Sequence, residues 1–313
     1  MIVALAGGVG GARLAVGLAA VLPPGALTIV VNTGDDFEHL GLSICPDLDT
    51  VMYTLAGLNN PEAGWGRVDE TWSFMETLEQ LGGDTWFRLG DRDLAVHVLR
   101  TRELQRGERL SAVMRMLASR LGVEHPIMPM SDAPVRTFVL TDEGELAFQD
   151  YFVRRRCEPV AQGFRFAGRE SADPPAELRE LFDSGRVSGV IVCPSNPYVS
   201  IAPILSVPRI RAWLEARTFP VVAVSPIVGG EAVKGPAAKM MRELGDDVSA
   251  AGVVRHYGGL VDGWVIDVRD AHAQQAISGS GKKVSVTDTL MVDRAKSIAL
   301  AHHMVTFAAA LQQ

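Results

Sequence analysis

The feature that most constrains the fold is a glycine-rich turn between two apolar segments near the start of the sequence. Residues 2–6 are apolar, residues 7–11 read Gly-Gly-Val-Gly-Gly, and an apolar run follows Arg13 as far as Pro23. A short apolar run bounded by glycine is typical of a buried parallel strand, and the second run has the length of a helix. The pattern therefore predicts a strand, a glycine turn and a helix.

The turn predicts an anion-binding site. Glycine has no Cβ, so the backbone N–H groups of the turn can approach a ligand, and the helix that begins there adds partial positive charge. The candidate binding residues are Gly8, Gly10, Gly11 and Arg13. The spacing matches the dinucleotide pattern G-x-G-x-x-G only in part, and no Gly-Lys-Ser/Thr follows to make a P-loop.

Acidic residues follow the second predicted strand, residues 27–31. The strand ends in Asn32 and Thr33, which either close a turn or orient a substrate hydroxyl. Four carboxylates come next: Asp35, Asp36, Asp47 and Asp49. A dinucleotide site needs one acidic residue here, whereas four repel one another and a phosphate unless a cation such as Mg²⁺ lies between them. We therefore predict a magnesium-assisted phosphate site, with one carboxylate, such as Asp47, free to cap a helix beginning near Thr50.

Two further apolar segments, residues 189–193 and 221–224, run into polar loops. In an open parallel sheet, the carboxyl ends of such strands gather on one edge, where ligands bind. We predict an α/β fold with a Rossmann-like, doubly wound, mostly parallel sheet. Its core comprises residues 1–61 and 184–313, and residues 62–183 form a mainly helical insertion with a β-hairpin at 135–149.

Three consecutive arginines, Arg154, Arg155 and Arg156, lie within the predicted insertion. A run of charge is usually a solvated face. The alternative is that these side chains hold an acidic part of the substrate at the seam between core and insertion.

Six motifs, in order and spanning nearly the whole chain, resemble those of the 2-phospho-L-lactate transferase family, CofD. They are residues 7–13, 32–36, 44–50, 89–93, 195–197 and 225–239. The resemblance implies transfer of a phospho-acid from a guanosine diphosphate carrier to the ribityl hydroxyl of the deazaflavin Fo. Such a reaction releases GMP and gives coenzyme F420-0 or its dehydro form. The acid is left open between lactate, enolpyruvate and glycerate types, which differ by small groups.

The resemblance also assigns site residues. It favours Asp35 and Asp49 as ligands of Mg²⁺. It also implies that Asp91 and Arg92 lie on the deazaflavin side of the pocket, which the insertion would cover. Asp36 is our suggested acceptor of the hydroxyl proton. The remaining candidates, for guanine and diphosphate, could equally be loop or surface residues: Ser195, Asn196, Gly229, Gly230, Lys234 and Lys239.

The net charge, the cysteine number and the length of the apolar runs limit the partners and the location that this chain can have. The formal net charge of −7 argues against a nucleic-acid partner, since no general basic field is present. Three widely spaced cysteines form neither a disulfide framework nor a zinc pattern, which fits a reducing cytoplasm. No apolar run reaches the roughly 18 residues of a membrane span, so we expect no membrane segment. The family implies a homodimer.

Two alternatives from other functional classes remain. A YvcK-like nucleotide-sugar-binding regulator would bind its ligand without transferring anything and without affinity for Fo. A nicotinamide-dependent oxidoreductase would bind NAD(P), but the incomplete glycine spacing and the surplus of carboxylates disfavour it.

Overall fold

The computed structural model describes residues 1–62 and 64–312. Within them the strands are β1 (Ile2–Ala6), β2 (Leu27–Val31), β3 (Phe37–His39), β4 (Leu42–Ile44), β5 (Ile127–Pro129), β6 (Arg136–Thr141), β7 (Gly144–Ala147), β8 (Ala161–Ala167), β9 (Gly189–Val192), β10 (Val221–Val224), β11 (Ile227–Val228), β12 (Glu231–Ala232), β13 (Gly263–Asp267) and β14 (Lys283–Thr287).

The α-helices of the same residues are α1 (Gly8–Val21), α2 (Pro46–Leu55), α3 (Ser73–Gln80), α4 (Asp91–Gln105), α5 (Leu110–Arg120), α6 (Ala176–Asp183), α7 (Ala202–Ser206), α8 (Pro208–Glu215), α9 (Ala237–Glu243), α10 (Ala250–Tyr257), α11 (Gln274–Gly279) and α12 (Arg294–Ala310). Short π-helical turns occur at Asp150–Arg154 and Pro197–Ile201. None of these helices is both long enough and apolar enough to cross a membrane.

Seven strands form one parallel sheet in the order β14-β13-β10-β9-β1-β2-β5. From β1 the chain first builds outward through β2 to β5, and then returns to the other side of β1 through β9, β10, β13 and β14. The direction of building reverses between β1 and β9. The predicted α/β fold with a parallel sheet is therefore confirmed, and this reversal is where an open sheet leaves a crevice at its carboxyl edge.

Both faces of the sheet are covered by hydrophobic core. Along β1, Val3 and Leu5 contribute to one core cluster, whereas Ile2, Ala4 and Ala6 contribute to the other. This alternation follows from the two-residue period of a strand, and burial on both faces explains why β1 is apolar throughout. The central strands are thus a rigid base for the loops at their carboxyl ends.

Segment 62–183 contributes a strand and core side chains to the main α/β unit, and it also forms a separate small sheet. Strand β5 pairs with β2 and forms one edge of the large sheet. The hairpin predicted at 135–149 is present as β6 and β7, and β8 pairs with the other side of β6 to make a three-stranded antiparallel sheet. Helices α4 and α5 contribute Val96, Val113 and Leu117 to the core on the α1 face. Within its described residues, 62 and 64–183, the segment thus combines four α-helices with four strands.

Candidate active site

A cavity of about 760 Å³ opens at the carboxyl edge of the sheet, where β1 and β9 lie side by side. At one end it is lined by the glycine turn that begins α1. Carboxylates from the loop after β2 and from helices α2 and α4 line its centre: Asp35, Asp47, Asp49 and Asp93. Aromatic side chains line it further on: Tyr53, Trp65, Trp86, Phe87, Phe148 and Phe152. One cavity therefore joins an anion-binding helix terminus, an acidic cluster and a wall suited to a flat ring.

The glycine turn is held by polar contacts from two other loops. Gly7 caps α1, and Gly8 has a φ of 61° in the left-handed region, which favours glycine. The Gly8 N–H donates to Asp47 Oδ1 at 2.6 Å, and the Gly7 N–H donates to Ser195 Oγ at 3.2 Å. Asp47 therefore lies at the positive end of α1, where a carboxylate is stabilised.

Close packing explains the later glycines of the turn. A Cβ on Gly10 would overlap the carbonyl oxygen of Pro194, and one on Gly11 would lie 2.6 Å from Ser195 Oγ. The loop after β9 thus presses directly against the first turn of α1. Gly10 lines the cavity, whereas Gly11 serves this packing contact outside it.

Asn32 organises the acidic cluster from beneath. Its Nδ2 donates to Asp47 Oδ2 at 2.9 Å, to Asp35 Oδ1 at 3.3 Å and to the carbonyl oxygen of Val199 at 3.2 Å. Its Oδ1 accepts from the Gly34 N–H at 2.8 Å. Asn32 is fully buried and does not line the cavity, so it orients carboxylates here rather than contacting the cavity itself.

Burial makes these carboxylates hard to ionise together. Burial and the neighbouring carboxylates Asp47 and Asp36 raise the pKa of Asp35 well above its usual range. Burial raises the pKa of Asp36 to about 7 and that of Asp47 to about 6, in each case against opposing hydrogen bonds or cations. A cation among them would remove this repulsion, which is the condition under which Mg²⁺ fits the site.

A second acidic group centres on Asp49. Its Oδ1 accepts a hydrogen bond from the fully buried Arg100, while its Oδ2 is buried with no hydrogen-bond partner. Arg100 Nη1 also donates to the Ser43 carbonyl oxygen at 3.2 Å and to His97 Nδ1 at 3.3 Å. Because arginine only donates, His97 Nδ1 must be the acceptor, which assigns the ring proton to Nε2.

The group continues to the aromatic wall. His97 Nε2 lies 3.3 Å from Asp93 Oδ2, and the Tyr53 hydroxyl donates to Asp93 Oδ1 at 2.5 Å. Asp49, Asp93 and His97 each bring one possible ligand atom within 4.8 Å of the others. Of these three side chains, the two carboxylates supply the oxygen ligands that Mg²⁺ prefers.

Four residues of the site were not predicted as site residues from the sequence: Arg100, His97, Asp93 and Tyr53. Asp93 and His97 are four residues apart and therefore share one face of α4, a spacing that was visible in the sequence. Arg100 gave no such indication, because arginines are usually exposed. Tyr53 belongs to α2 and reaches Asp93 only through the fold.

The predicted site residues divide into two sets. Those that line the cavity are Gly8, Gly10, Arg13, Asp35, Asp47, Asp49, Ser195, Asn196 and Lys234. Those that lie outside its lining are Gly11, Asn32, Thr33, Asp36, Asp91, Arg92, Gly229, Gly230 and Lys239.

The second set has other contacts that explain its placement. Asp91 accepts from Thr71 Oγ1 at 2.6 Å and from the N–H groups that begin α3. The Gly229 N–H donates to both carboxylate oxygens of Asp270, at 3.1 and 3.0 Å. Lys239 pairs with Glu243 one turn along α9. These residues hold loops and helices together at places where the sequence analysis expected ligand contacts.

The buried carboxylates predict an unusual pH dependence of stability. Because the folded-state pKa of Asp36 is raised from 3.8 to about 7, its stabilising contribution is complete below about pH 4 and is lost as the pH rises through 7. In EDTA, Asp36→Asn should therefore raise the free energy of unfolding more at pH 8 than at pH 5.5, and the difference should be about 2 kcal/mol, since about 1.4 kcal/mol is lost per pH unit between 5.5 and 7. Calorimetric unfolding of both proteins at the two pH values measures this, and an equal effect at both would contradict it.

Comparison with known proteins identifies the family. A family model described as 2-phospho-L-lactate transferase CofD matches residues 2–305. The chain belongs to the CofD family. The resemblance found in its motifs is thereby confirmed, and the chain is a CofD-family transferase of phospho-acids.

Relatives in the CofD family carry two names. A Streptomyces griseus relative, named phosphoenolpyruvate transferase, is 44% identical over 313 residues. The alignment covers 98% of this chain and 98% of the relative. A Thermobifida fusca relative of the same name is 41% identical, with 100% of this chain and 99% of the relative covered. A Methanosarcina mazei relative, named 2-phospho-L-lactate transferase, is 38% identical, with 96% of this chain and 97% of the relative covered.

A solved structure shares the fold of this CofD chain. It is a UPF0052 family protein from Bacillus halodurans, with a TM-score of 0.57 over 96% of this chain and 89% of that one. Its sequence identity is 16%, so the likeness concerns the α/β fold alone.

Proposed function

We propose that this protein transfers a phospho-acid from its guanosine diphosphate carrier to the ribityl hydroxyl of Fo, releasing GMP. The observation that carries the proposal is the single cavity that joins the N-terminus of α1, the acidic cluster and the aromatic wall. A diphosphate fits the first, a bridging cation the second and a deazaflavin ring the third. The products would be F420-0 or its dehydro form, according to the acid.

Binding would use the chain's own groups as follows. The N–H groups of Val9 and Gly10 in the first turn of α1 would face the diphosphate, because the Gly8 N–H already donates to Asp47. Lys234 adds positive charge at the same cavity. A Mg²⁺ ion held by Asp35 and Asp49 would neutralise charge on the diphosphate and on the departing GMP. The Oδ2 of Asp49, which is buried and makes no hydrogen bond, and the raised pKa of Asp35 support this choice of ligands.

In the reaction, the ribityl oxygen attacks the phosphorus that bears the acid. A new P–O bond forms from the ribityl oxygen to this phosphorus. The bond from the same phosphorus to the bridging oxygen breaks, and the bridging oxygen leaves with GMP. Alignment of the two substrates supplies most of the acceleration. Asp36 remains our proposed proton acceptor, since burial raises its pKa to about 7. Its side chain does not line the cavity, so a proton would have to reach it through another group.

For the acid, we propose the enolpyruvate type first and the lactate type second. The relatives at 44% and 41% identity are named phosphoenolpyruvate transferases, and the one at 38% is named for 2-phospho-L-lactate. We also propose a cytoplasmic location, where the buried free cysteines stay reduced, and a homodimer.

A product assay tests the proposal. The protein is incubated with Mg²⁺, Fo and, in separate reactions, the guanosine diphosphate esters of enolpyruvate, lactate and glycerate, and the products are resolved by mass spectrometry. We expect equimolar GMP and a phosphodiester of Fo, formed fastest from the enolpyruvate carrier. Tight nucleotide binding with no Fo product would instead favour a non-catalytic regulator.

A further inference from the structure

The three consecutive arginines of segment 154–156 have three different environments. The Arg154 guanidinium lies 4.6 Å from the centroid of the Trp86 ring, and Arg155 forms an ion pair with Glu143. Arg156 lines the cavity. The sequence presented these residues as one basic run, but the fold sends only the last of them to the candidate site.

An unusual backbone turn separates Arg156 from its neighbours. Arg156 and Cys157 have φ values of 50° and 58°, in the left-handed region that residues other than glycine seldom adopt. The turn is fixed by the Cys157 N–H, which donates to the Tyr151 carbonyl oxygen at 2.8 Å, and by burial of the Cys157 side chain. The surrounding structure thus maintains a strained conformation that places Arg156 at the cavity, and such strain is typical of functional sites.

Arg156 also differs from the other arginines of the cavity. Arg13 donates to the Met291 carbonyl oxygen at 3.0 Å, and the Arg88 guanidinium lies 4.0 Å from the Trp72 ring centroid. Within residues 1–62 and 64–312, Arg156 makes no hydrogen bond, ion pair or ring contact. Its five N–H donors are therefore available to a ligand.

Arg156 lies on the side of the cavity that would hold the phospho-acid part of the guanosine-linked donor. The segment that carries it also contributes Phe148, Gln149 and Phe152 to the cavity, and Gln149 Nε2 donates to the Asp35 carbonyl oxygen at 3.2 Å. Arg156 therefore belongs to a wall of the cavity that is tied to the loop carrying Asp35. A carboxylate brought beside the acidic cluster needs a cationic partner, and a guanidinium binds carboxylates through two parallel hydrogen bonds.

We propose that Arg156 binds the carboxylate of the phospho-acid and thereby selects donors that carry one. This inference rests on the proposed function, because it takes the guanosine-linked phospho-acid as the donor. Arg154 and Arg155 have no part in it, since neither lines the cavity and each is engaged by another side chain, Trp86 and Glu143 respectively. The lack of internal contacts at Arg156 means that its replacement should leave the fold intact.

Binding calorimetry with two nucleotides tests the proposal. The first is the guanosine diphosphate ester of lactate, and the second is the isopropyl ester of GDP, in which a methyl group replaces the carboxylate. The wild type should bind the first about 10- to 100-fold more tightly, as expected for a charge-assisted hydrogen bond. Arg156→Gln should reduce this ratio to near one by weakening only the carboxylated nucleotide, and Arg156→Lys should retain part of it.

Arg155→Gln is the matched control, because it removes the same charge one residue away from the cavity. It should keep the wild-type ratio, and melting curves of all variants should coincide within about 2 °C. The proposal is overturned if Arg156→Gln weakens both nucleotides equally, or if its only effect is on the affinity for Fo. Because the readout is binding, it stands even if the product assay finds no transfer, so the two proposals fail separately.

Discussion

Replacing Asp49 with asparagine is expected to lower kcat/KM for GMP release with Fo by about 1,000-fold. Asp49 lines the cavity, accepts a hydrogen bond from the buried Arg100 and presents a second oxygen that makes no hydrogen bond and lies 3.6 Å from His97 Nδ1. Asparagine keeps the shape of the side chain but removes the charge that a divalent cation requires. Steady-state assays at saturating Mg²⁺, run well below the melting temperature of the variant, measure the loss.

Asp91→Asn is the control for that substitution. Asp91 belongs to a motif shared with the family, but its carboxylate caps α3 and lies outside the cavity lining. Its replacement should change kcat/KM less than 3-fold while costing about 1 kcal/mol of stability, the usual cost of losing a helix cap. If Asp49→Asn retained a tenth of the wild-type kcat/KM, or if the two variants lost activity equally, the assignment of Asp49 would be wrong.

Replacing Arg100 with methionine is expected to destabilise the protein by about 3–5 kcal/mol. The guanidinium is fully buried, and its removal leaves the buried Asp49 carboxyl group without its cationic partner. The same change also frees His97 Nδ1, which accepts from Arg100 in the native protein. Urea unfolding at pH 7.5 gives the free energy directly.

The matched comparison for Arg100 is Arg115→Met. Arg115 also forms an ion pair, with Glu177, but its side chain is 64% exposed. Exposed pairs contribute less than about 1 kcal/mol, so Arg115→Met should unfold close to the wild type. In the double variant with Asp49→Asn, part of the loss at Arg100 should be recovered, because no unpaired charge remains. Equal losses for the two arginine variants would contradict the buried ion pair.

Periodicity and turn chemistry were enough to predict the central elements of the fold. Strands β1, β2, β9 and β10 lie where the sequence placed them. Helix α1 follows as predicted but begins at Gly8, so most of the predicted glycine turn forms the first turn of the helix. The start of α2 was missed by four residues, because Pro46 occupies the first helical position, where proline is favoured. Strand β5 was not predicted at all, since three residues are too few to show a period.

The acidic cluster was predicted in part. Asp35, Asp47 and Asp49 reach one cavity because they follow the carboxyl ends of neighbouring elements. Asp36 does not line that cavity: its side chain interacts with Cys45 and Arg136. Two adjacent aspartates in a loop give no pattern that tells which side chain faces inward, because a loop has no fixed period.

The remaining differences depend on contacts between distant segments. Nothing near Asp91 in sequence reveals that the Thr71 hydroxyl and an N–H group at the start of α3 donate hydrogen bonds to its carboxylate. Gly229 likewise meets Asp270 only after the sheet has formed. Conversely, the salt bridge of Lys239 with Glu243 has the four-residue spacing of a helix pair and could have been anticipated.

The most direct test of the account is a crystal structure of the protein with GDP, Mg²⁺ and Fo bound. We expect the diphosphate at the N–H groups of Val9 and Gly10, the metal ion on Asp49 and the deazaflavin ring against Trp86 and Phe87. Ligands bound away from the carboxyl edge of the sheet, for example in the separate cavity lined by Arg115 and His125, would contradict it.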